Sequence, residues 1–458
     1  MRAINYPQMK HARRRSNRHM LRGVFALGAV VCFLGACALA TALFAVRFVP
    51  PRYVARFVPE PLQSYFRPAP VELPTPSAPH AVAALLTPVP LVTRSISQSV
   101  TPSATPSATL VISQPTSTPG STPRPTLTLT PVPFPGPTQA ARSTPAALDS
   151  ATVLLTGFRH AYQTWNNCGP ANLAMGLSYY GWKGSQADAA AFLKPDPEDR
   201  NVNPDEMAAF AHSQGLQAIV RVNGTLDLLK ALLRAGFPPI VEKGFEPEEK
   251  LGWMGHYELV IGWGDKTSEF IVMDSYLGPN LGVPFDDMDK YWRQFNRTYI
   301  VIYKPEQAET LSKIIGAEMD DATMYRNALA RAQAELVAND KDVFGWFNLG
   351  TSYAALQMFN ESVAAYDQAR HIGLPWRMTW YQFGWFEAYL AMNRTEDVIA
   401  LAEATLKSNP YSEEMYFYKG LVLQKRGDAN AARGQFDLAL KHNPNFALAK
   451  KALEVLRP

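Results

Sequence analysis

Hydrophobic and polar positions divide the chain into four textures. Residues 23–46 are apolar and uncharged. At about 1.5 Å rise per residue they exceed the roughly 20 residues a bilayer crossing needs, which predicts a transmembrane helix. Residues 47–150 show neither a helical nor a strand period. From Ala151 periodic patterns begin, with helical spacing over 170–180, 203–214 and 225–235. Asn203 followed by Pro204 reads as an N-cap with proline in the first turn, and Gly215 ends that helix. Short apolar or alternating runs at 217–222, 239–242, 257–263, 269–274 and 299–303 predict strands. Helices first and strands second predict an α+β domain over residues 151–304. Beyond about residue 310 the pattern is helical to the end, with 304–321 as a hinge or a docked segment.

Composition sharpens the second texture. More than half of the 37 prolines lie between residues 48 and 150, among serines and threonines. Proline removes backbone donors, and the sparse apolar residues cannot form a core, so 47–150 reads as a disordered Pro/Ser/Thr stalk. A short helix within 81–100 is the one exception the apolar content suggests. The net charge of +4 is uneven, because residues 1–22 carry seven basic side chains and no acid. A basic tip before an apolar span places the tip in the cytoplasm and the rest of the chain outside. The nearly neutral body has no basic stripe, which argues against nucleic acid as a partner. Two processing signals compete with a retained membrane anchor. Ala38-Leu39-Ala40 fits a signal-peptidase site, and Leu34-Gly35-Ala36-Cys37 resembles a bacterial lipobox. Apolar character continues for nine residues past Cys37, which favours retention.

Residues 320–458 repeat with a period near 34. Gly350, Gly384 and Gly420 recur at 34 and then 36 residues, with aromatics at Trp346, Tyr353, Tyr366, Trp380, Tyr416 and Phe436. Small residues let paired helices approach, and aromatics fill the gap between them. This pattern resembles a tetratricopeptide array of three units between flanking helices at 322–338 and 446–456. It implies an all-α solenoid that binds a protein partner or peptide. Two extra residues are expected in the second unit, near Met392-Asn393.

Of the three cysteines, Cys32 and Cys37 lie in the apolar run, leaving Cys168 alone in the external part. No disulfide is open to it, and metal-ligand spacing is missing, so neither a metal nor another cofactor is expected. Cys168 directly precedes a helix, where the positive end of the macrodipole favours thiolate. Gln163, five residues upstream, is placed to offer its amide to an oxyanion. His256 opens one strand and Asp274 closes the next. If the two form a hairpin about 264–268, both residues lie at the same end of the sheet. Glu258 and Asp265 are alternative partners for the imidazole. His160 and His212 read as structural or surface groups.

The segments Gln163…Asn167-Cys168-Gly169-Pro170-Ala171, Gly255-His256-Tyr257 through Gly262, and Phe270-Ile271-Val272-Met273-Asp274 resemble the C39-like branch of papain-fold cysteine peptidases. Asn167 stands where the family often has aspartate, and Ser275 where it usually has proline. The resemblance implies Cys168 as nucleophile, His256 as base, Asp274 as its orienting acid and Gln163 as oxyanion donor. The expected protein is a single-pass, extracytoplasmic cysteine peptidase acting on a peptide or protein substrate. A catalytically silent C39-like scaffold stays open, as does a transamidase or amidase using the same groups.

Overall fold

The computed structural model describes residues 33–35, 37, 70–77, 82–86, 152–247 and 251–456. Residues 67–162 and 166–458 make one compact unit, and residues 163–165 group with 1–66 in another. The basic tip, most of the expected transmembrane segment and most of the stalk lie outside the described residues. Among those described, no helix is long and apolar enough to cross a membrane.

Among the described residues, seven antiparallel strands form one sheet: β1 (Thr152–Leu154), β2 (Gln217–Arg221), β3 (Pro239–Phe245), β4 (Met254–Gly264), β5 (Glu269–Asp274), β6 (Gly278–Pro284) and β7 (Tyr299–Tyr303). Their order is β2-β7-β3-β4-β5-β6, with β1 paired to the far end of β4. Strand alternation splits the core between two faces. Ile240, Leu259, Ile300 and Ile302 pack under α1 (Cys168–Tyr179), α2 (Gln186–Leu193) and α3 (Pro204–Ser213). Val241, Val260, Tyr299 and Val301 pack with α4 (Leu226–Arg234), α5 (Phe285–Trp292) and α6 (Ala308–Ile315). Leu311 and Ile315 of α6 are buried there, so the 304–321 connection is docked rather than hinged. Gly176 lets α1 sit close on the sheet: a Cβ there would lie 3.4 Å from both Ile240 Cδ1 and Ile302 Cδ1.

Eight helices follow: α7 (Asp321–Ala338), α8 (Val343–Ala355), α9 (Phe359–Ile372), α10 (Gly384–Ala391), α11 (Thr395–Ser408), α12 (Glu413–Lys425), α13 (Ala429–His442) and α14 (Ala447–Val455). Tight pairs behave as the small-residue argument requires. A Cβ at Gly350 would meet the Tyr366 ring at 2.8 Å, and one at Gly420 the Phe436 ring at 2.4 Å. The turn inside each pair carries a left-handed residue, Gln357, Asn393 or Gly427. Gly350 and Gly420 each lie seven residues before their turn; in the middle pair that position is Phe386, not Gly384. The two extra residues therefore precede α10, in the 373–383 connection, and not near Asn393. Gly384 instead starts α10 and packs against the Tyr366 hydroxyl.

The linker is also not uniformly unpacked. Residues 70–77 lie extended on the helical region, and Ala83–Leu86 form one 3-10 turn with Leu85 buried.

Candidate active site

The site forms where the start of α1 meets β4 and the end of β5. Cys168 is the first residue of α1 and is partly buried. Asn167 does not cap the helix; its side chain donates to Gln186 Oε1 at 2.7 Å. Asn166, just upstream, adopts a left-handed φ of 51°, which asparagine tolerates and which turns the chain into the helix. Lys194 fixes this turn from below, donating to the carbonyls of Asn166 at 2.9 Å and Asp199 at 2.5 Å.

The hairpin expected about 264–268 is present. Leu259 pairs with Met273 and Gly264 with Glu269, with a bulge at Ile261. His256 and Asp274 therefore share one end of the sheet, and His256 Nε2 lies 3.1 Å from Asp274 Oδ2. Asp274 is fully buried, and its other oxygen accepts the backbone N–H groups of Tyr276 at 2.5 Å and Leu277 at 2.7 Å. Those two bonds fix the carboxylate in the turn after β5. With Nε2 on Asp274, His256 also lines the pocket that holds the Cys168 thiol, where its charge favours the ionised sulfur. The Phe245 ring stacks on the imidazole at 4.3 Å, holding its plane. The alternative acids are engaged elsewhere. Glu258 takes Lys243 at 2.8 Å, and Asp265 takes Lys230 at 2.7 Å.

Asn172, one turn into α1, ties the pieces together. Its Nδ2 donates to the Cys168 carbonyl at 3.0 Å, the Tyr257 carbonyl at 2.7 Å and Ser275 Oγ at 3.0 Å. Ser275 thus supplies an acceptor that proline at that position would lack.

Electrostatics follow from this geometry. Burial opposes ionisation of Cys168, but the hydrogen bond and charge of His256, the Tyr257 backbone and the Lys194 cation outweigh it, and the thiol sits below its ordinary value. Burial would likewise lower His256. The charge and hydrogen bond of Asp274, with the thiol, instead push it up to about 10. Asp274 is held far below the usual carboxylate range: burial is overcome by the His256 charge and hydrogen bond and by the Leu277 N–H. Both directions favour the thiolate–imidazolium form of the pair.

Gln163 is buried in the coil five residues before the thiol, within the 163–165 segment that groups apart from the rest of the domain. His160 Nε2 contacts the Asp274 carbonyl oxygen at 2.9 Å, a structural role for that histidine.

Several groups around the thiol escaped the sequence pattern. A small pocket is lined by Cys168, His256, Asn166, Arg200, Glu242 and Tyr381, among others. Glu242 is buried, and burial followed by the nearby Cys168 charge raises its carboxyl well above the ordinary value. Asn166 Nδ2 is a buried donor with no protein partner. Tyr381 comes from the 373–383 connection, and its ring packs against Gly255, next to His256. Arg377, in the same connection, donates to the carbonyls of Leu251 at 2.7 Å and Trp253 at 2.8 Å. The helical region therefore forms one wall of the pocket.

Residues 155–300 match the Peptidase_C39 like family. Solved structures also match, among them a protein from Bacillus anthracis described as a C39-like peptidase. It is 16% identical, covers 33% of this chain and 98% of that one, and has a TM-score of 0.28. No curated protein matches the chain.

Proposed function

Starting from residues 155–300 as a C39-like peptidase domain, we propose that the protein is a cysteine peptidase working through Cys168, His256 and Asp274. The observation that carries this is the buried His256–Asp274 pair, which shares one pocket with a thiol at a helix N-terminus. The thiolate attacks the scissile carbonyl, and imidazolium protonates the departing amine. Water, deprotonated by His256, then releases the acyl group from sulfur. Asp274 keeps the imidazole oriented and charged. Gln163 is the oxyanion donor implied by the family resemblance, and the unpartnered Asn166 amide is a candidate donor in the pocket beside Cys168.

The helical region acts as a tetratricopeptide-like platform for a peptide or protein partner. The 23–46 segment anchors the chain in a membrane, with the catalytic and repeat parts outside. Support for these two readings is the glycine and aromatic packing of the paired helices and the apolar, charge-flanked sequence of the span. The test is digestion of a peptide library by the full chain and its Cys168→Ala and His256→Ala variants. New termini made by the wild type and by neither variant support the reading. Identical digests from all three sink it.

A further inference from the structure

The helical region already holds an extended peptide, and it is part of this chain. Residues 70–77 cross α9 and α11 with Val71, Leu73, Pro74 and Pro76 half-buried and Pro70, Glu72, Thr75 and Ser77 exposed. Two charged side chains read the main chain. Arg370 Nη2 donates to the Pro74 carbonyl oxygen. Asp397 accepts the Ser77 backbone N–H at 3.3 Å and the Ser77 hydroxyl. Neither group is a loose surface charge. Arg370 Nη1 is fixed by Asp397 at 3.0 Å and the Tyr389 hydroxyl at 3.0 Å, and both side chains are almost wholly buried. Arg394 bridges Asp367 at 2.5 Å and Asp397 at 2.9 Å, completing a neutral four-charge cluster. Further along, Gln333 donates to the Leu85 carbonyl at 2.7 Å, while Leu73, Val82 and Leu86 join the apolar core of the helices.

This is a built site with defined chemistry. Prolines at 74 and 76 preset an extended backbone and lower the entropy lost on binding. Arginine then takes a carbonyl and aspartate takes the N–H and hydroxyl three residues later. We propose that the α9–α11 face is a binding site for extended proline-rich peptides bearing a serine, and that residues 70–77 occupy it in cis, closing it to partner peptides of the same chemistry. The tetrapeptide Thr-Pro-Ser-Ala at 75–78 recurs at 101–104 and 105–108, so the linker carries further segments of the kind this face selects. The proposal rests on the peptide-binding reading of the helical region and is independent of the thiol chemistry.

A fluorescent peptide of residues 70–79 is titrated into the full chain and into a full-length variant with 70–79 replaced by Gly/Ser of equal length. The peptide binds the replaced chain and binds the wild type at least tenfold more weakly, because the tethered copy competes at high effective concentration. A peptide carrying Ser77→Ala binds the replaced chain about tenfold more weakly, the cost of hydrogen bonds to a buried carboxylate. No binding of the wild-type peptide to the replaced chain, or equal affinity for both chains, overturns the proposal, as does an unaffected Ser77→Ala peptide. A panel of unrelated peptides on the replaced chain separates the two readings: panel binding without binding of the chain's own segment refutes self-occupancy alone.

Discussion

Replacing Asp274 by asparagine keeps an oxygen for the Tyr276 and Leu277 N–H groups while removing the charge opposite His256. The effect can be sized from the imidazole, which stands at about 10 against an ordinary 6.5. At about 1.4 kcal/mol per tenfold change in proton affinity, that elevation corresponds to on the order of 5 kcal/mol of preference for the charged ring. Part of it comes from the thiolate, so the Asp274→Asn protein should lose about 3–5 kcal/mol of stability at pH 7, the usual cost of breaking a buried pair. The pH dependence has a definite sign. His256 is raised, so its share is whole below about pH 6.5 and is lost as pH rises through about 10. Asp274 is depressed, so its share is whole above about pH 3.8 and is lost as pH falls further. Urea unfolding of both proteins across pH should show a gap that is widest between these limits and narrows on either side. A gap of equal size at pH 7 and pH 11, or none at pH 7, would refute the ion-pair description.

Three further outcomes follow from other contacts. Glu242→Gln replaces a carboxyl whose ionisation burial opposes with a neutral isostere. A raised acid loses stability as pH rises above its unfolded value near 4.5. The variant should therefore match the wild type at pH 4 and exceed it at pH 7.5 by on the order of 1 kcal/mol or more, as read from urea midpoints. Tyr381→Ala opens the wall formed by the 373–383 connection, so Cys168 should react several-fold faster with a bulky maleimide but little faster with iodoacetamide, measured by mass spectrometry. Gly176→Leu drives a side chain into Ile240 and Ile302; thermal unfolding should show a loss of about 1–3 kcal/mol, typical of overpacking.

The parts of the fold legible from sequence were those carried by strong local signals. Asn203-Pro204 and Gly215 bracket α3, and the β4–β5 hairpin follows from two apolar runs about a polar turn. β6 was missed because Gly278-Pro279-Asn280 reads as a turn, and because this half-exposed edge strand has no apolar face to reveal it. α2 is alanine-rich and short, with little amphipathic contrast to detect. The repeat register slipped because Gly384 sits 34 residues after Gly350, whereas the turns place Phe386 at the equivalent position. Around the thiol, adjacency in sequence suggested Cys168, His256 and Asp274 together with two rival acids. Only strand pairing assigns Glu258 to Lys243 and leaves Asp274 for the imidazole. Lys194, Glu242 and Tyr381 reach the site from three separate elements, so no local pattern could join them.

The central claim is that His256 holds Cys168 as a thiolate, and alkylation tests it most directly. Iodoacetamide modification of Cys168 in the full chain, followed by mass spectrometry from pH 4 to pH 11, should be rapid at neutral pH with a midpoint below the ordinary thiol value of 9.0. In His256→Ala the midpoint should move to 9.0 or above, leaving on the order of 1% thiolate at pH 7 and slowing the reaction roughly a hundredfold. Superimposable profiles from the two proteins would contradict the account.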